Sequence, residues 1–283
     1  MDLSDIRVIK NILARHGFHF SKSLGQNFLI NPDVCPRMAE ECGAQKGVGV
    51  LEIGPGVGVL TAELAKRADK VVSVELDKKL LPVLDDTLSG YRNVKIVNED
   101  ILKADLRKLI GTEFSGAEVA VCANLPYYIT SPVIMRLLEE RLPIRSVTVM
   151  VQKEAAERLC ALPGTRACGA VSAAVRYFAE PEVLFEVNRD NFFPPPNVDS
   201  AVIHLKIRKK PPVKINREKD FFALVKAAFG QRRKTVLNAV AAGLSLDRAV
   251  VAAALERAGI APTARAEQLS MEQLAALSNE VFL

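Results

Sequence analysis

The chain has 283 residues, about half hydrophobic and a quarter charged, with a formal net charge of +5. That is the balance of a soluble globular protein of more than one domain, and no apolar run approaches the roughly 18 residues that span a bilayer. The charge is uneven: residues 208–283 hold 13 Lys and Arg against 7 Asp and Glu, so the C-terminal quarter is basic and the rest close to neutral. A basic segment of this kind points to a polyanion partner.

In chain order, "MDLSDIRVIKNILARHG" has an amphipathic helical pattern with no apolar core or cleavage site of a signal peptide, which argues against export. The first forty or so residues read as an arm and a helix packed against a sheet domain. From about residue 46, short apolar runs alternate with helical segments. Strands are predicted at 48–54, 70–77, 93–100, 117–125 and 146–152, with helices at 59–68, 78–88 and 131–140 between them. That alternation predicts a parallel sheet wrapped by helices. Residues 181–188 and 200–207 alternate more strictly and predict an antiparallel pair closing one edge. After Ile207, "RKKPPVKINRE" marks a linker, because the proline pair cannot continue a strand. Helical periodicity then fills 220–229, 232–242, 246–259 and 266–278. The expected fold is therefore α/β, with a Rossmann-like domain over 1–208 and a small all-helical, basic domain over 209–283.

The five cysteines (Cys35, Cys42, Cys122, Cys160 and Cys168) form no CxxC pair and read as reduced thiols of a cytoplasmic protein. The three histidines have no ligand spacing, so no metal site is expected.

"LEIGPGVGVLTAEL" places Gly54, Gly56 and Gly58 between a strand and a helix, where backbone N–H groups can approach a ligand. The spacing differs from the dinucleotide GxGxxG, which disfavours a nicotinamide dehydrogenase. Glu75 closes the next strand, about twenty residues on, where a carboxylate accepts hydrogen bonds from ribose hydroxyls. Asp100 closes the third strand and is placed to receive an adenine amine. A carboxylate capping a strand is unremarkable alone; successive ones facing one crevice favour an adenosine-containing cofactor.

"NLPYY" follows the fourth strand. An adenine exocyclic amine is a weak nucleophile because its lone pair is delocalised into the ring. The Asn124 amide oxygen and the Leu125 carbonyl can grip its two protons and aim the freed lone pair, with Tyr127 stacked on a flipped base. Tyr128 reads as a packing residue.

At these residues the chain resembles the ribosomal RNA adenine dimethyltransferases that act on small-subunit rRNA. The resemblance runs in order through "SKSLGQNFL", "LEIGPGVGVLT", "NLPYYITSP", "MVQKEAAERL", "PGTRACGAVS", "NFFPPPNVDSAV" and "FGQRRKTVLN". It implies S-adenosylmethionine as methyl donor, with cofactor contacts at Asn27, Leu29, Gly54, Glu75, Asp100 and Asn124. It implies a second aromatic wall at Phe192, with Phe193 structural. It also implies dimethylation of two adjacent adenosines near the rRNA 3′ end, and a role in small-subunit biogenesis. Cys168 departs from the pattern, standing where an aromatic, usually tyrosine, is expected. The clusters Arg232–Lys234, expected at a helix start, and Arg208–Lys210 then read as phosphate contacts, with Lys22 of the arm adding to them. No obligate interface is evident, so a monomer is expected. Two other readings stay open: a macrolide-resistance-type methyltransferase of large-subunit rRNA, and a ribosome-assembly factor whose methylation is secondary.

Overall fold

A computed structural model describes residues 2–21 and 24–283. By packing, the chain divides into one unit of residues 1–156 and 181–207 and another of 157–180 and 208–283. Among the described residues no helix is long and apolar enough to cross a membrane.

The first unit begins with helix α1 (Ile6–Arg15), capped by the Asp5 carboxylate, which accepts from the Arg7 N–H. A two-residue strand β1 (Phe28–Leu29) and helix α2 (Val34–Glu41) follow. Then come β2 (Val48–Ile53), α3 (Val59–Ala65), β3 (Lys70–Glu75), α4 (Leu81–Thr87) and β4 (Val94–Asn98). Next are α5 (Leu106–Phe114), β5 (Glu118–Asn124), α6 (Thr130–Glu139) and β6 (Ser146–Gln152). Helix α7 (Lys153–Cys160) runs into the second unit, to which α8 (Ala170–Phe178) belongs, and the first unit resumes through β7 (Ala179–Val187), a two-residue β8 (Phe192–Phe193) and β9 (Ser200–Ile207).

Seven strands form one mixed sheet in the order β4-β3-β2-β5-β6-β9-β7. The strands β2 to β6 are parallel to their neighbours, and β9 runs antiparallel to β6. β2 is buried along its whole length and β5 and β6 almost so, because helices cover both faces of a parallel sheet. This is why these strands read as unbroken apolar runs. The chain winds from β2 toward β4 and then returns to start β5 on the other side of β2. The carboxyl ends of β2 and β5 therefore flank the switch point at which open α/β sheets leave a crevice.

Away from the sheet, β1 pairs antiparallel with β8, matching Phe28 to Phe193 and Leu29 to Phe192. An aromatic cluster holds this ribbon: Phe20 meets Phe28 at 5.3 Å and Phe193 at 5.5 Å, and the Lys10 ammonium lies 4.8 Å from the Phe193 ring centre. Phe193 is thus a packing residue, as the resemblance implied.

The second unit adds α9 (Glu218–Phe229), α10 (Val236–Leu244), α11 (Arg248–Arg257) and α12 (Met271–Val281). Its extent differs from the boundary at residue 208, since residues 157–180 pack with the helices rather than with the sheet. The cause is an aromatic cluster joining α8 to α9: Tyr177 lies 5.4 Å from Phe221, and Phe178 stacks on Phe222 at 5.3 Å. The Tyr177 hydroxyl donates to Glu218 at 2.8 Å. Burying rings of this size outweighs the chain proximity of α8 to the sheet.

Candidate functional site

A cavity of about 220 Å³ opens at the switch point. Asn27, Leu29, Gly54, Glu75, Asp100, Asn124, Leu125, Tyr127 and Phe192 all line it, so the residues expected to hold cofactor and base share one cavity. Its floor is built by register. Ile53 pairs with Ala123, which sets Gly54 just beyond β2 beside Asn124 at the end of β5. Gly56 has φ +61°, and a Cβ there would meet the Phe28 ring at 3.1 Å, so the aromatic arm lies directly on the glycine loop. Only glycine allows both the left-handed backbone and that approach.

Glu75 ends β3 and is 6% exposed. Burial raises its carboxyl to about 7, partly offset by backbone N–H groups, including that of Asp77 at 2.7 Å. Asp100 stands two residues beyond the end of β4 rather than on it, in a turn where its Oδ1 accepts from the Leu102 N–H at 2.9 Å. Asn124 directs Nδ2 to the Asn27 carbonyl at 3.4 Å, which leaves its Oδ1 as the acceptor. The arm is held beside it by Gln26, whose amide donates to Asp77 at 2.8 Å.

The residues after β5 separate by role. Leu125 is buried, and its N–H bonds the Met150 carbonyl at 3.2 Å. Tyr127 opens a short 3-10 turn (Tyr127–Ile129), with its hydroxyl 2.7 Å from the buried Ser200 Oγ. Burial raises that phenol. Phe192 is buried in the β1–β8 ribbon. Tyr128 does not pack into the core: it is 55% exposed at the cavity rim.

Sequence reasoning gave no role to Leu76 and Leu102, which are exposed apolar side chains on the same rim, nor to Ser200. Nor does it single out Glu52, the acid two residues before the glycine loop. Glu52 is fully buried, and its Oε2 accepts from Thr61 at 2.7 Å and Ser73 at 2.6 Å, while Oε1 has no partner among the described residues. Burial raises this carboxyl to about 7 as well. The available signal was a single acid inside an otherwise apolar strand.

The basic residues divide too. Arg208 is a structural cation, paired with Glu180 at 2.9 Å and bonded to the Arg176 carbonyl. Lys209 and Lys210 are exposed. Arg232, Arg233 and Lys234 lie in the turn before α10, not in its first turn, because Thr235 caps the helix by accepting from the Asn238 N–H. All three are exposed, and Arg232 reaches the Arg166 carbonyl at 3.0 Å. Lys22 lies outside the described residues. Cys168, standing in place of the expected aromatic, is buried just before α8.

A sheet wound this way, with an amide and an aromatic turn where a hydride-transfer enzyme would need an acid–base group, is that of a Rossmann-like methyltransferase. Known proteins narrow the class. The model of the family described as "Ribosomal RNA adenine dimethylase" matches residues 17–282. A ribosomal RNA small subunit methyltransferase A from Geobacillus thermodenitrificans is 51% identical over 279 residues, covering 96% of this chain and 94% of the relative. Among solved structures, a dimethyladenosine transferase from Plasmodium falciparum has 25% identity and a TM-score of 0.71, over 88% of this chain and 95% of that one. The 23S rRNA methyltransferase ErmE has 29% identity and a TM-score of 0.70, over 90% of this chain and 100% of that one. The chain belongs to the ribosomal RNA adenine dimethylase family.

Proposed function

We propose that the protein transfers methyl groups from S-adenosylmethionine to the N6 amines of two adjacent adenosines near the 3′ end of small-subunit rRNA. Each becomes N6,N6-dimethyladenosine during small-subunit biogenesis in the cytoplasm. The observation that carries this reading is one cavity holding two carboxylates at successive strand ends and an oriented amide at the next.

The cavity's donor set fits the cofactor. Glu75 presents its carboxylate to the cavity for ribose hydroxyls, Asp100 offers an acceptor for an adenine amine, and Leu76 and Leu102 give that end an apolar rim. Asn27, Leu29 and Gly54 complete the wall. When bound, S-adenosylmethionine supplies an electrophilic methyl group on its sulfonium. Asn124 Oδ1 and the Leu125 carbonyl each accept one N–H of the target amine, which favours a tetrahedral nitrogen and directs its lone pair. Tyr127 and Phe192 clasp the flipped base. The first is fixed through Ser200 and the second through the β1–β8 ribbon, so neither wall must be ordered at the moment of binding.

The helical unit, with Arg232, Arg233 and Lys234, serves as the rRNA-binding part by contacting phosphates. Small-subunit rRNA is favoured over large-subunit rRNA because the relative at 51% identity is named for the former, whereas ErmE stands at 29%. The test is mass mapping of rRNA methylated with labelled cofactor, comparing small-subunit particles with large-subunit RNA. Asn124→Ala should reduce the rate by about 10²–10³-fold at saturating cofactor while the fold survives. A wild-type rate in that variant removes the role given to the amide.

A further inference from the structure

Two tyrosines follow Pro126, and only one is spoken for. Tyr127 is half-buried and tied to Ser200. Tyr128 is 55% exposed, and among the described residues it has no hydrogen-bond partner and no aromatic neighbour. Its ring lies alongside Gly25, where an added Cβ would sit 3.6 Å from the ring edge and 3.8 Å from Pro126. Gly25 thus lies close to one side of the ring, and the rest of the exposed ring stands at the mouth of the cavity.

Three large apolar side chains are exposed on this rim. Leu76 and Leu102 adjoin Glu75 and Asp100, at the end where those carboxylates face the cofactor. Tyr128 stands at the other end, four residues from Asn124, where the nucleic acid must enter. Flipping a base out of its stack strips the next base of its stacking partner. An exposed aromatic ring at the pocket mouth replaces that partner and tolerates any base, since every base has a π-face.

We propose that Tyr128 is the stacking platform for the nucleotide beside the target adenosine. With two adjacent adenosines as substrate, it would hold one while the other occupies the pocket. This rests on the reading of the cavity as an adenosine methylation site. Tyr128 is a positioning residue that touches substrate RNA and not the reacting atoms.

The experiment is steady-state methylation of unmethylated small-subunit particles by the wild type and by Tyr128→Ala, Tyr128→Leu and Tyr128→Phe, with cofactor Kd measured in parallel. Tyr128→Ala should raise KM for the particle about tenfold, with kcat within about twofold and cofactor Kd unchanged. Tyr128→Phe should restore the wild-type KM, and Tyr128→Leu should not, because it supplies volume without a π-face. A wild-type KM in Tyr128→Ala overturns the proposal. So does full rescue by leucine, which would mean simple packing, or an equal loss in cofactor affinity, which would mean a structural role. Failure of the wild type to methylate the particle would instead overturn the underlying reading.

Discussion

The two units differ in where their unpaired cations gather: in the sheet unit the exposed Lys46, Lys78, Lys79, Arg92 and Lys108, which meet no carboxylate among the described residues, are spread along the chain, whereas Arg232, Arg233 and Lys234 of the helical unit are consecutive. In the sheet unit Arg15, Lys66, Arg67, Lys70, Lys95, Arg136, Arg145 and Lys153 each meet a carboxylate, and polar groups that bear on function converge on one cavity. In the helical unit Arg208, Arg217 and Arg257 are paired. Arg166, Arg232, Arg233, Lys234 and Arg265 meet no carboxylate among the described residues, and all are exposed. Paired cations are neutralised locally and project little field, whereas unpaired ones release counterions on meeting a polyanion. On the proposed reading, the first unit holds a small ligand by shape and directed hydrogen bonds, and the second holds a polymer by charge.

That contrast can be broken most decisively by charge removal. Replacing Arg232, Arg233 and Lys234 together by alanine should weaken rRNA binding on the order of 10²-fold at physiological salt and flatten the salt dependence by two to three in slope, roughly one per lost phosphate contact. Cofactor affinity, read by calorimetry, should not move. A parallel loss of cofactor affinity would mean that the division of labour is wrong.

The sheet unit should respond to pH instead. Burial holds Glu75 near 7, above its usual value, with Asp77 and Glu52 as further acidic neighbours and the Asp77, Gly56 and Leu76 N–H groups opposing them. Only the ionised carboxylate is a full acceptor for ribose hydroxyls. Cofactor affinity should therefore rise with pH through about 7 and level off above it. It should be about tenfold weaker at pH 6 than at pH 8, following the ionised fraction. Glu75→Gln should remove the pH dependence, and Glu52→Gln should leave it in place. A curve that persists in Glu75→Gln assigns it to another group. The smallest effect expected is on folding. Gly56→Ala forces a side chain into the left-handed region and against Phe28, costing about 1–2 kcal/mol of stability in a denaturant titration. Its phosphate-driven RNA binding should be unchanged.

Much of this was legible in the amino-acid sequence, for physical reasons that also explain what was not. Buried parallel strands are apolar on both faces, so β2, β3, β5 and β6 stand out, and the groups that end or follow strands, Glu75, Asp100, Asn124 and Tyr127, could be placed in one crevice. The β1–β8 ribbon has two residues a side and joins segments more than 160 residues apart. It has no periodicity to detect, so Asn27, Leu29 and Phe192 were reachable only through family resemblance. The extent of the helical unit was missed because Tyr177 and Phe178 find their partners some forty residues later, in α9. Tyr128 was misread as a packing residue because a proline turn suggests a covered pair. In a 3-10 turn successive side chains point about 120° apart, so neighbours such as Tyr127 and Tyr128 do not share a face.

The pairing of β1 with β8 also bears on when the protein becomes competent during its synthesis. Phe28 has to wait for Phe193 to be made, and Tyr127 has to wait for Ser200. Strands β2 to β6 are complete by residue 152, so the parallel part of the sheet can assemble on the emerging chain. The ribbon that covers the glycine loop cannot pair until some forty further residues have left the ribosome. A nascent chain of this protein thus carries a sheet long before it carries a finished pocket.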